Sequence, residues 1–313
     1  MELTLNLSLL LLGMTILIWG ANKFVDNSSM IAKHLGIGDL VIGLTLIAAG
    51  TSAPEVFIGI SAIIKGNEDI ALGMAIGSNI SNIALIFGVA CLYFNTNSKT
   101  ALWNLMPVGL SILMLGLTLA DGKISFNESI GFVGLFMLFM YILLKTEDEF
   151  EDGRSESSEF IRSLVLCMVG LAGLIAGANI SIIYAENTAI LLGVPEIIIG
   201  LTIIALGTSL PELAASFAAL KQQKYQMVVG NIIGSNVLNL VFIIPMIGFF
   251  GSVQLNPVIM LRDFNVLAIL TLVFILLAIS LTKLKFVRGL YMTSGIILIS
   301  SYLLYIVTLA GIV

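Results

Sequence analysis

The chain has 313 residues, of which 58% are hydrophobic and only 11% are charged, and its mean hydropathy is +1.10. Because soluble domains carry about 25% charged residues, this composition excludes an ordinary soluble protein and predicts a protein embedded in the lipid bilayer. The net charge is −5, with seven of the nineteen acidic residues between positions 147 and 159, and we expect no nucleic-acid partner for such a chain.

Ten apolar segments follow one another along the chain. Each is close to the roughly 20 residues that a helix needs to cross a hydrocarbon core about 30 Å thick. They predict an all-α membrane protein with ten transmembrane helices. The predicted helices cover residues 5–24, 40–64, 70–93, 102–120, 127–145, 161–183, 196–220, 226–250, 264–282 and 289–310.

Two polar motifs interrupt these apolar segments, and each occurs twice at an offset of 157 residues. Residues 50–55 read GTSAPE and residues 207–212 read GTSLPE, while residues 77–82 read GSNISN and residues 234–239 read GSNVLN. Around the first motif, eleven of the fifteen positions 41–55 are identical at the offset of 157. Two separate motifs in one frame indicate an internal duplication.

The duplication places five predicted helices in each half. An odd number of spans forces the halves to enter the membrane from opposite sides, which predicts two inverted-topology repeats of five helices, an architecture of many secondary transporters. The expected units are a first repeat at 1–145, a linker at 146–160 and a second repeat at 161–313. The acidic linker lacks the ligand spacing of a calcium-binding EF-hand loop, so we expect a solvated cytoplasmic connection.

Basic residues predict the orientation in the membrane. With the N-terminus outside, eleven of the fourteen Lys and Arg residues fall in cytoplasmic loops or their flanks. Cytoplasmic loops carry such an excess of positive charge. We therefore expect a multi-pass protein of the cell (inner) membrane with both termini outside, functioning as a monomer.

Only two of the nineteen acids, Glu55 and Glu212, lie in the middle of predicted spans. An ionised group at that depth costs at least about 2.5–3.5 kcal/mol on insertion scales and marks a candidate functional site. No Lys or Arg lies deep in any predicted span to pair with either carboxylate. Protonated, hydrogen-bonded glutamates are the structural alternative.

The residues around each glutamate add further oxygen ligands. Pro54 and Pro211 lack an N–H, so the carbonyls of Gly50 and Gly207 lose their helical donors and each helix is predicted to be interrupted there. In the second motif, positions four apart share one helix face, whereas Asn79 and Asn236 also fit a role in helix packing. Gly77 and Gly234 are predicted to allow close helix approach. The side chains expected to share a face are Ser78 with Asn82, and Ser235 with Asn239.

The centre of the predicted bundle thus offers carboxylates, hydroxyls, amide oxygens and freed carbonyls, without His, Cys or Lys. Such an oxygen-only set suits Ca²⁺, which takes six to eight ligands with flexible geometry. The paired negative charge suits one divalent ion or more than one monovalent ion. We expect transported ions and no cofactor.

The motif Gly-Thr-Ser-x-Pro-Glu followed by Gly-Ser-Asn-x-x-Asn, present twice, resembles the two alpha repeats of the cation/calcium exchanger superfamily, specifically a compact prokaryotic sodium/calcium exchanger. The resemblance implies a secondary-active antiporter that exchanges several Na⁺ for one Ca²⁺ by alternating access. Asn239 departs from the family pattern, in which many members have Asp. The metal ligands that the resemblance implies are Glu55, Glu212, Thr51, Thr208, Ser52, Ser209, Ser78, Ser235, Asn82 and Asn239, with the backbone carbonyls of Ala48 and Ala205.

Three other functions remain open at this point. The first is exchange of Ca²⁺ or another divalent cation for H⁺ on the same fold, with one glutamate protonating when the divalent ion leaves. The second is an intramembrane hydrolase, which is disfavoured because the only histidine, His34, lies in a predicted loop without metal-ligand neighbours. The third is a passive channel, which would show uptake without any counter-gradient.

Overall fold

The structure is a computed structural model that describes most of the chain. Within the described part, nine helices are long and apolar enough to cross a membrane. Large side chains on their outer faces are exposed, among them Phe57 (73%), Leu117 (69%) and Leu144 (83%), as lipid-facing surfaces require. The all-α membrane fold is therefore confirmed. The described residues are 2–94, 102–120, 122–146, 157–194, 205–250, 253–254, 262–283 and 287–309.

The helices are numbered in chain order. The seventh predicted span, 196–220, is described only from residue 205, where it forms two short helices, α7 and α8, so its first part lies outside the described residues. The helices are α1 (Glu2–Leu35), α2 (Asp39–Ile64), α3 (Glu68–Tyr93), α4 (Leu102–Leu119), α5 (Phe126–Lys145), α6 (Ser157–Leu191), α7 (Ala205–Thr208), α8 (Leu210–Lys221), α9 (Tyr225–Phe250), α10 (Phe264–Lys283) and α11 (Arg288–Leu309).

A two-stranded antiparallel sheet joins the loops that follow α4 and α9. Its strands are β1 (Lys123–Ile124) and β2 (Val253–Gln254), with Lys123 opposite Gln254. The sheet therefore ties a loop of the first half to a loop of the second half.

Helices α1 and α6 both continue past their predicted ends at residues 24 and 183. Each is followed by a glycine with positive φ, Gly36 (65°) and Gly193 (74°). The next residue then bonds back to the helix, as in the 2.9 Å bond from the N–H of Ile37 to the carbonyl of Ala32. This left-handed cap is a common helix end. The predicted ends are wrong because polar residues such as Asp26 lie inside the helix.

The backbones of α1 and α6 touch where they cross. A Cβ on Gly20 would meet the backbone of Gly173 and Leu174, and a Cβ on Gly177 would meet the backbone of Leu17. Since Gly20 and Gly177 are counterparts at the offset of 157, the two repeats contribute the same surface to this contact. Glycine at both positions lets the helices pack as one closely joined pair.

Helix α9 forms the centre of the protein and packs against α2. A Cβ on Gly230 would meet the backbone of Leu40, and a Cβ on Gly234 would meet the carbonyl of Leu44 and the side chain of Ala48. The predicted close approach at Gly234 is therefore confirmed. At Gly77 a Cβ would meet nothing within 4 Å among the described residues, so the close approach predicted there is not confirmed.

Helices α2 and α3 each contain one wide turn of π-helix, at Gly43–Ile47 and Asn82–Phe87. In α2 the regular helix resumes at Ala48 and runs through Pro54 to Ile64. The interruption predicted at Pro54 is therefore wrong for α2, and the irregular turn lies about two to three turns upstream of the proline. Loss of one hydrogen bond at Pro54 is tolerated here within a helix packed on its neighbours.

Asn79 on α3 contacts its own counterpart in the second repeat. Its Nδ2 donates to the backbone carbonyl of Asn236 on α9 over 3.0 Å. Two equivalent residues that touch each other lie close to the axis that relates the repeats. The contact is the one expected of two inverted repeats packed around a pseudo-twofold axis.

Candidate cation site

Glu55 on α2 and Glu212 on α8 meet at the centre of the helix bundle. Each is only 1% exposed, and the two carboxyl groups interact electrostatically. Ser52 donates a hydrogen bond to Oε1 of Glu212 over 3.1 Å. The structure thus brings together the two acids that the sequence singles out, one from each repeat.

Most of the carboxyl oxygens at this centre lack a donor. In the described part of the chain, both oxygens of Glu55 and Oε2 of Glu212 are buried without a hydrogen-bond partner. A buried polar atom left unpaired costs about 1–3 kcal/mol, and more when it is charged. Carboxylates in this state need either protons or cations to be stable.

Neutral oxygens in the same condition come from the other motif residues. Oγ of Ser81 and Oδ1 of Asn236, which are not predicted ligands, share this condition. The predicted ligands among them are Oγ of Ser209 and the amide oxygens of Asn82 and Asn239, each buried and unpaired among the described residues. With the three carboxyl oxygens they make six, the lower end of the ligand number that Ca²⁺ takes. The donor set therefore fits a hard cation such as Ca²⁺ or Na⁺.

The two carboxylates would need these neutral ligands to hold an ion. Within the described ranges, no three side chains of the His, Cys, Asp or Glu type lie together as a metal-binding group. A site with only two acids, completed by hydroxyls and amides, binds its ion less tightly than a closed structural centre. Neutral ligands attract a cation less strongly than carboxylates do, which suits a transported ion because the site must also release it.

The backbone around Ser209 separates α7 from α8. Ser209 has φ −90° and ψ 4°, and α8 begins at Leu210 with Pro211 and Glu212 in its first turn. The positive end of the helix dipole favours a carboxylate there. The interruption predicted at the second copy of the motif is therefore present, and it places Glu212 at a helix start.

The remaining predicted hydroxyls are buried or half-buried. Thr51 and Ser235 are completely buried, and Ser78 is 7% exposed. The hydroxyl of Thr51 donates to the carbonyl of Ile47 over 3.1 Å and lies 3.5 Å from that of Ala48. Thr208 is half-buried at the end of α7.

The predicted carbonyl ligands occupy equivalent places before the two glutamates. Ala48 begins the regular part of α2 directly after the π-helical turn. Ala205, its counterpart, is the first described residue of α7. Irregular backbone at membrane depth is tolerated where it lines a cavity or is buried in protein.

The asparagines of the second motif form a short chain of hydrogen bonds across the repeats. Nδ2 of Asn239 donates to Oδ1 of Asn79 over 3.2 Å, and Nδ2 of Asn236 donates to the carbonyl of Ile232 over 2.6 Å. Asn79 also donates to the Asn236 backbone, so its amide is used in helix packing. The Asn239 amide group is thereby oriented with its oxygen left for another partner.

Two polar residues outside both motifs also belong to this centre. Asn231 and Ser216 are each 2% exposed, and Nδ2 of Asn231 donates to Oγ of Ser216 over 3.1 Å. The sequence offers one signal for them. Each is a polar residue one helical turn from a predicted ligand, Asn231 before Ser235 and Ser216 after Glu212.

The single histidine lies in the last turn of α1, so the prediction that His34 is a loop residue is wrong. Nδ1 of His34 lies 2.7 Å from the carbonyl of Met30, and its ring packs on Phe160. The intramembrane hydrolase alternative requires a base beside a serine, and His34 is held by other contacts.

Comparison with known proteins identifies the same family from the whole chain. The family model described as sodium/calcium exchanger protein matches residues 5–145 and 162–311. The putative antiporter CaxA of Alkalimonas amylolytica is 33% identical over 307 residues, covering 94% of this chain and 95% of the relative. Sodium/calcium exchanger MaX1 of Methanosarcina acetivorans is 31% identical over 303 residues, covering 79% and 84%.

A solved structure shares the fold over nearly the full length. The sodium/calcium exchanger from Methanococcus jannaschii matches with a TM-score of 0.82 and 30% identity, covering 97% of this chain and 98% of the other.

Proposed function

This chain belongs to the sodium/calcium exchanger protein family, and we propose that it is a secondary-active antiporter that exchanges Na⁺ for Ca²⁺ by alternating access. The two ions compete for the central site around Glu55 and Glu212. The observation that carries this proposal is that six oxygens of the predicted ligands, contributed by both repeats, are buried without donors in the described part of the chain. The name of the relative MaX1 supports Na⁺ as the coupling ion.

The proposed ligands are the residues of the four motif copies and the two carbonyls that precede them. Glu55 and Glu212 are shared by Ca²⁺ and Na⁺, and the neutral oxygens complete each coordination shell. The full set is Glu55, Glu212, Thr51, Thr208, Ser52, Ser209, Ser78, Ser235, Asn82 and Asn239, with the carbonyls of Ala48 and Ala205.

Electrostatics couples the movement of one ion to that of the other. Two adjacent carboxylates buried away from water repel each other and have lost their hydration, so the ionised pair is costly to carry through an occluded state. A bound Ca²⁺ or bound Na⁺ ions neutralise the pair. The site therefore switches its access from one side of the membrane to the other only with ions bound, so one kind of ion must replace the other.

Alternating access requires one part of the protein to move past another. The closely joined pair α1 and α6 is the candidate for the moving part, because its two helices touch backbone to backbone. The pair slides across the core formed by the other helices. The site then opens to one side of the membrane at a time.

The topology that accompanies this function places both termini outside the cell (inner) membrane. Residues 1–145 and 161–313 form the two repeats, residues 146–160 form the cytoplasmic linker, and the protein functions as a monomer. The excess of Lys and Arg in the loops that become cytoplasmic supports this orientation.

Exchange for H⁺ is the second candidate, and the same carboxyl pair favours it. Two interacting carboxyl groups without other donors can share one proton when no cation is bound. The coupling ion is therefore the quantity to test.

The experiment uses the purified protein in liposomes and measures uptake of radioactive Ca²⁺. We expect uptake when the lumen contains Na⁺ and the outside does not, and none with an equal K⁺ gradient. Uptake driven by a pH gradient without Na⁺ would favour H⁺ coupling. Uptake without any counter-gradient would indicate a channel and overturn the proposal, and liposomes with the Glu55→Gln variant are the control for leakage.

A further inference from the structure

A buried amide outside both motifs contacts hydroxyls of both repeats. Oδ1 of Asn231 on α9 lies 3.5 Å from the hydroxyl of Thr51 on α2 and 3.5 Å from that of Ser235 on α9. Its Nδ2 donates to Ser216 on α8. Asn231 therefore joins three helices at the edge of the candidate site.

A hydroxyl that binds a cation must direct its hydrogen elsewhere. It carries one O–H donor and two lone pairs, and the cation is attracted to the lone pairs and repelled by the hydrogen. The amide oxygen of Asn231 is an acceptor 3.5 Å from both hydroxyls, and at Thr51 it competes for the hydrogen with the carbonyl of Ile47, which lies 3.1 Å away. The bond from its Nδ2 to Ser216 fixes which end of the amide faces them.

The other half of the site lacks this arrangement. At the offset of 157, the counterpart of Asn231 is Met74 and the counterpart of Ser216 is Gly59. Methionine offers only a weak sulfur acceptor, and glycine has no side chain. The pseudo-twofold symmetry of the motifs is therefore broken at the residues that support them.

We propose that Asn231 is a positioning residue that orients the hydroxyls of Thr51 and Ser235 for cation binding. Ser216 holds Asn231 in place, and the half of the site built from these two hydroxyls binds Na⁺ more tightly than its pseudo-symmetric half. This inference rests on the proposed function of the site. It assigns a role to two residues that belong to neither repeated motif.

Loss of Asn231 should weaken the binding of Na⁺ more than the binding of Ca²⁺. One Ca²⁺ between the two carboxylates contacts both negative charges, whereas a Na⁺ in the half of the site with Thr51 and Ser235 shares the carboxyl pair with other ions, so this Na⁺ depends more on its neutral oxygens. A general loss of structure at Asn231 would weaken the binding of Na⁺ and the binding of Ca²⁺ by the same factor. The ratio of the two effects therefore distinguishes positioning from a merely structural role.

The test measures ion binding by the purified variants as the concentration of Na⁺ or Ca²⁺ that gives half of the maximal thermal stabilisation. We expect Asn231→Leu to raise this concentration about tenfold for Na⁺ and less than about threefold for Ca²⁺, given the usual strength of such hydrogen bonds. Asn231→Asp keeps an acceptor at the same place and should stay within about threefold of the native protein for Na⁺. Asn104→Leu, a buried asparagine that bonds to Thr146 instead, is the matched control and should change neither value.

A double variant shows whether Asn231 acts through the hydroxyls. In a Ser235→Ala background, Asn231→Leu should lose part of its effect on Na⁺, because one of the two oriented hydroxyls is already gone. Three results would each overturn the proposal. They are an unchanged half-maximal Na⁺ concentration in Asn231→Leu, an equal loss of affinity for Na⁺ and Ca²⁺ in that variant, and full additivity of its effect with that of Ser235→Ala.

A milder variant decides the matter if Asn231→Leu fails to fold. Ser216→Ala removes the acceptor that holds Asn231, so it should weaken Na⁺ binding about threefold and Ca²⁺ binding by less. An unchanged half-maximal Na⁺ concentration in Ser216→Ala would contradict the proposal. Transport by Glu55→Gln separates the two hypotheses. If that variant transports like the native protein, the proposed function fails, whereas an inactive Glu55→Gln beside a native-like Asn231→Leu defeats only the role of Asn231.

Discussion

Ser52 of the first repeat donates its hydroxyl hydrogen to Oε1 of Glu212 in the second repeat, over 3.1 Å. The equivalent serine and glutamate of each motif lie only three residues apart in the sequence, yet this bond crosses between the repeats. The first half therefore supplies part of the environment of the second half's carboxylate, whereas the equivalent bond from Ser209 to Glu55 is not formed. Neither repeat contains a complete site by itself.

Replacing Ser52 with alanine tests this cross-repeat contact. Ser52→Ala leaves Oε1 of Glu212 without its donor and removes a proposed ligand, so the Ca²⁺ concentration for half-maximal uptake should rise about tenfold, equivalent to about 1.4 kcal/mol. Ser8→Ala is the matched control, because Ser8 is exposed on α1 and bonds only to its own helix at Thr4. Equal Ca²⁺ dependence in the two variants would show that Ser52 plays no part in binding.

Neutralising either glutamate should stop exchange. Glu55→Gln and Glu212→Gln each remove one of the two negative charges and add an amide N–H₂ to a region crowded with oxygen atoms. We expect Na⁺-driven Ca²⁺ uptake to fall at least about tenfold, since even one charged hydrogen bond or ion contact of this kind contributes about 1.5–3 kcal/mol. Glu159→Gln, at the exposed start of α6, should retain native uptake. Full activity in either central variant would defeat the proposed site.

The fold and the centre of the site could be predicted because two kinds of information repeat in the chain. Long apolar segments give the helices by length alone. The polar residues inside them are rare, so their recurrence at one offset selects Glu55 and Glu212 without knowledge of the structure. The meeting of these two carboxyl groups follows from the inverted symmetry of the halves.

The same reliance on recurrence explains what the sequence analysis missed. Asn231 has Met74 as its counterpart, so a criterion that selects residues present in both halves excludes it. The interruption in α2 lies at Gly43–Ile47, upstream of Pro54, because tertiary packing against α9 determines where the backbone deforms. Polarity also misplaces the end of α1, which is determined by the backbone conformation of Gly36.

Asn239 should resist replacement by the aspartate that the family resemblance implies at this position. Its Nδ2 donates to Oδ1 of Asn79, and an ionised aspartate there would place two acceptors against each other. We expect Asn239→Asp to lower the melting temperature in buffer free of Na⁺ and Ca²⁺, because a third carboxylate joins an already repulsive pair. Added Ca²⁺ should then raise the melting temperature of the variant by more than it raises that of the native protein.

The control for this variant keeps the charge neutral. Asn239→Ser removes the bond to Asn79 without adding a carboxylate, so its stability in cation-free buffer should fall by a smaller amount. Its Ca²⁺-induced shift should be no larger than that of the native protein. A smaller Ca²⁺ shift in Asn239→Asp than in the native protein would show that position 239 does not face the ion.

Crosslinks can show whether α1 and α6 move together past the core. Helix α1 makes one contact with the core and one with α6, and the two contacts should respond differently to such a movement. Oδ1 of Asp26 accepts a 2.7 Å hydrogen bond from Gln222 in the turn between α8 and α9, whereas Ser28 lies 3.6 Å from Cys167 on α6. If the pair slides as one unit, the first contact must break during each cycle and the second must persist.

The two crosslinks therefore have opposite expected effects. Asp26→Cys with Gln222→Cys, made in a Cys91→Ala and Cys167→Ala background and joined by a short bifunctional thiol reagent, should reduce exchange to the background level. Ser28→Cys, oxidised with the native Cys167, should leave exchange within about twofold of the reduced protein, because a disulfide at that place spans two parts that do not move apart. Mass spectrometry of the linked peptides measures how much of each sample is joined. Exchange that survives the first crosslink, or stops with the second and returns on reduction, would contradict a sliding α1 and α6 pair.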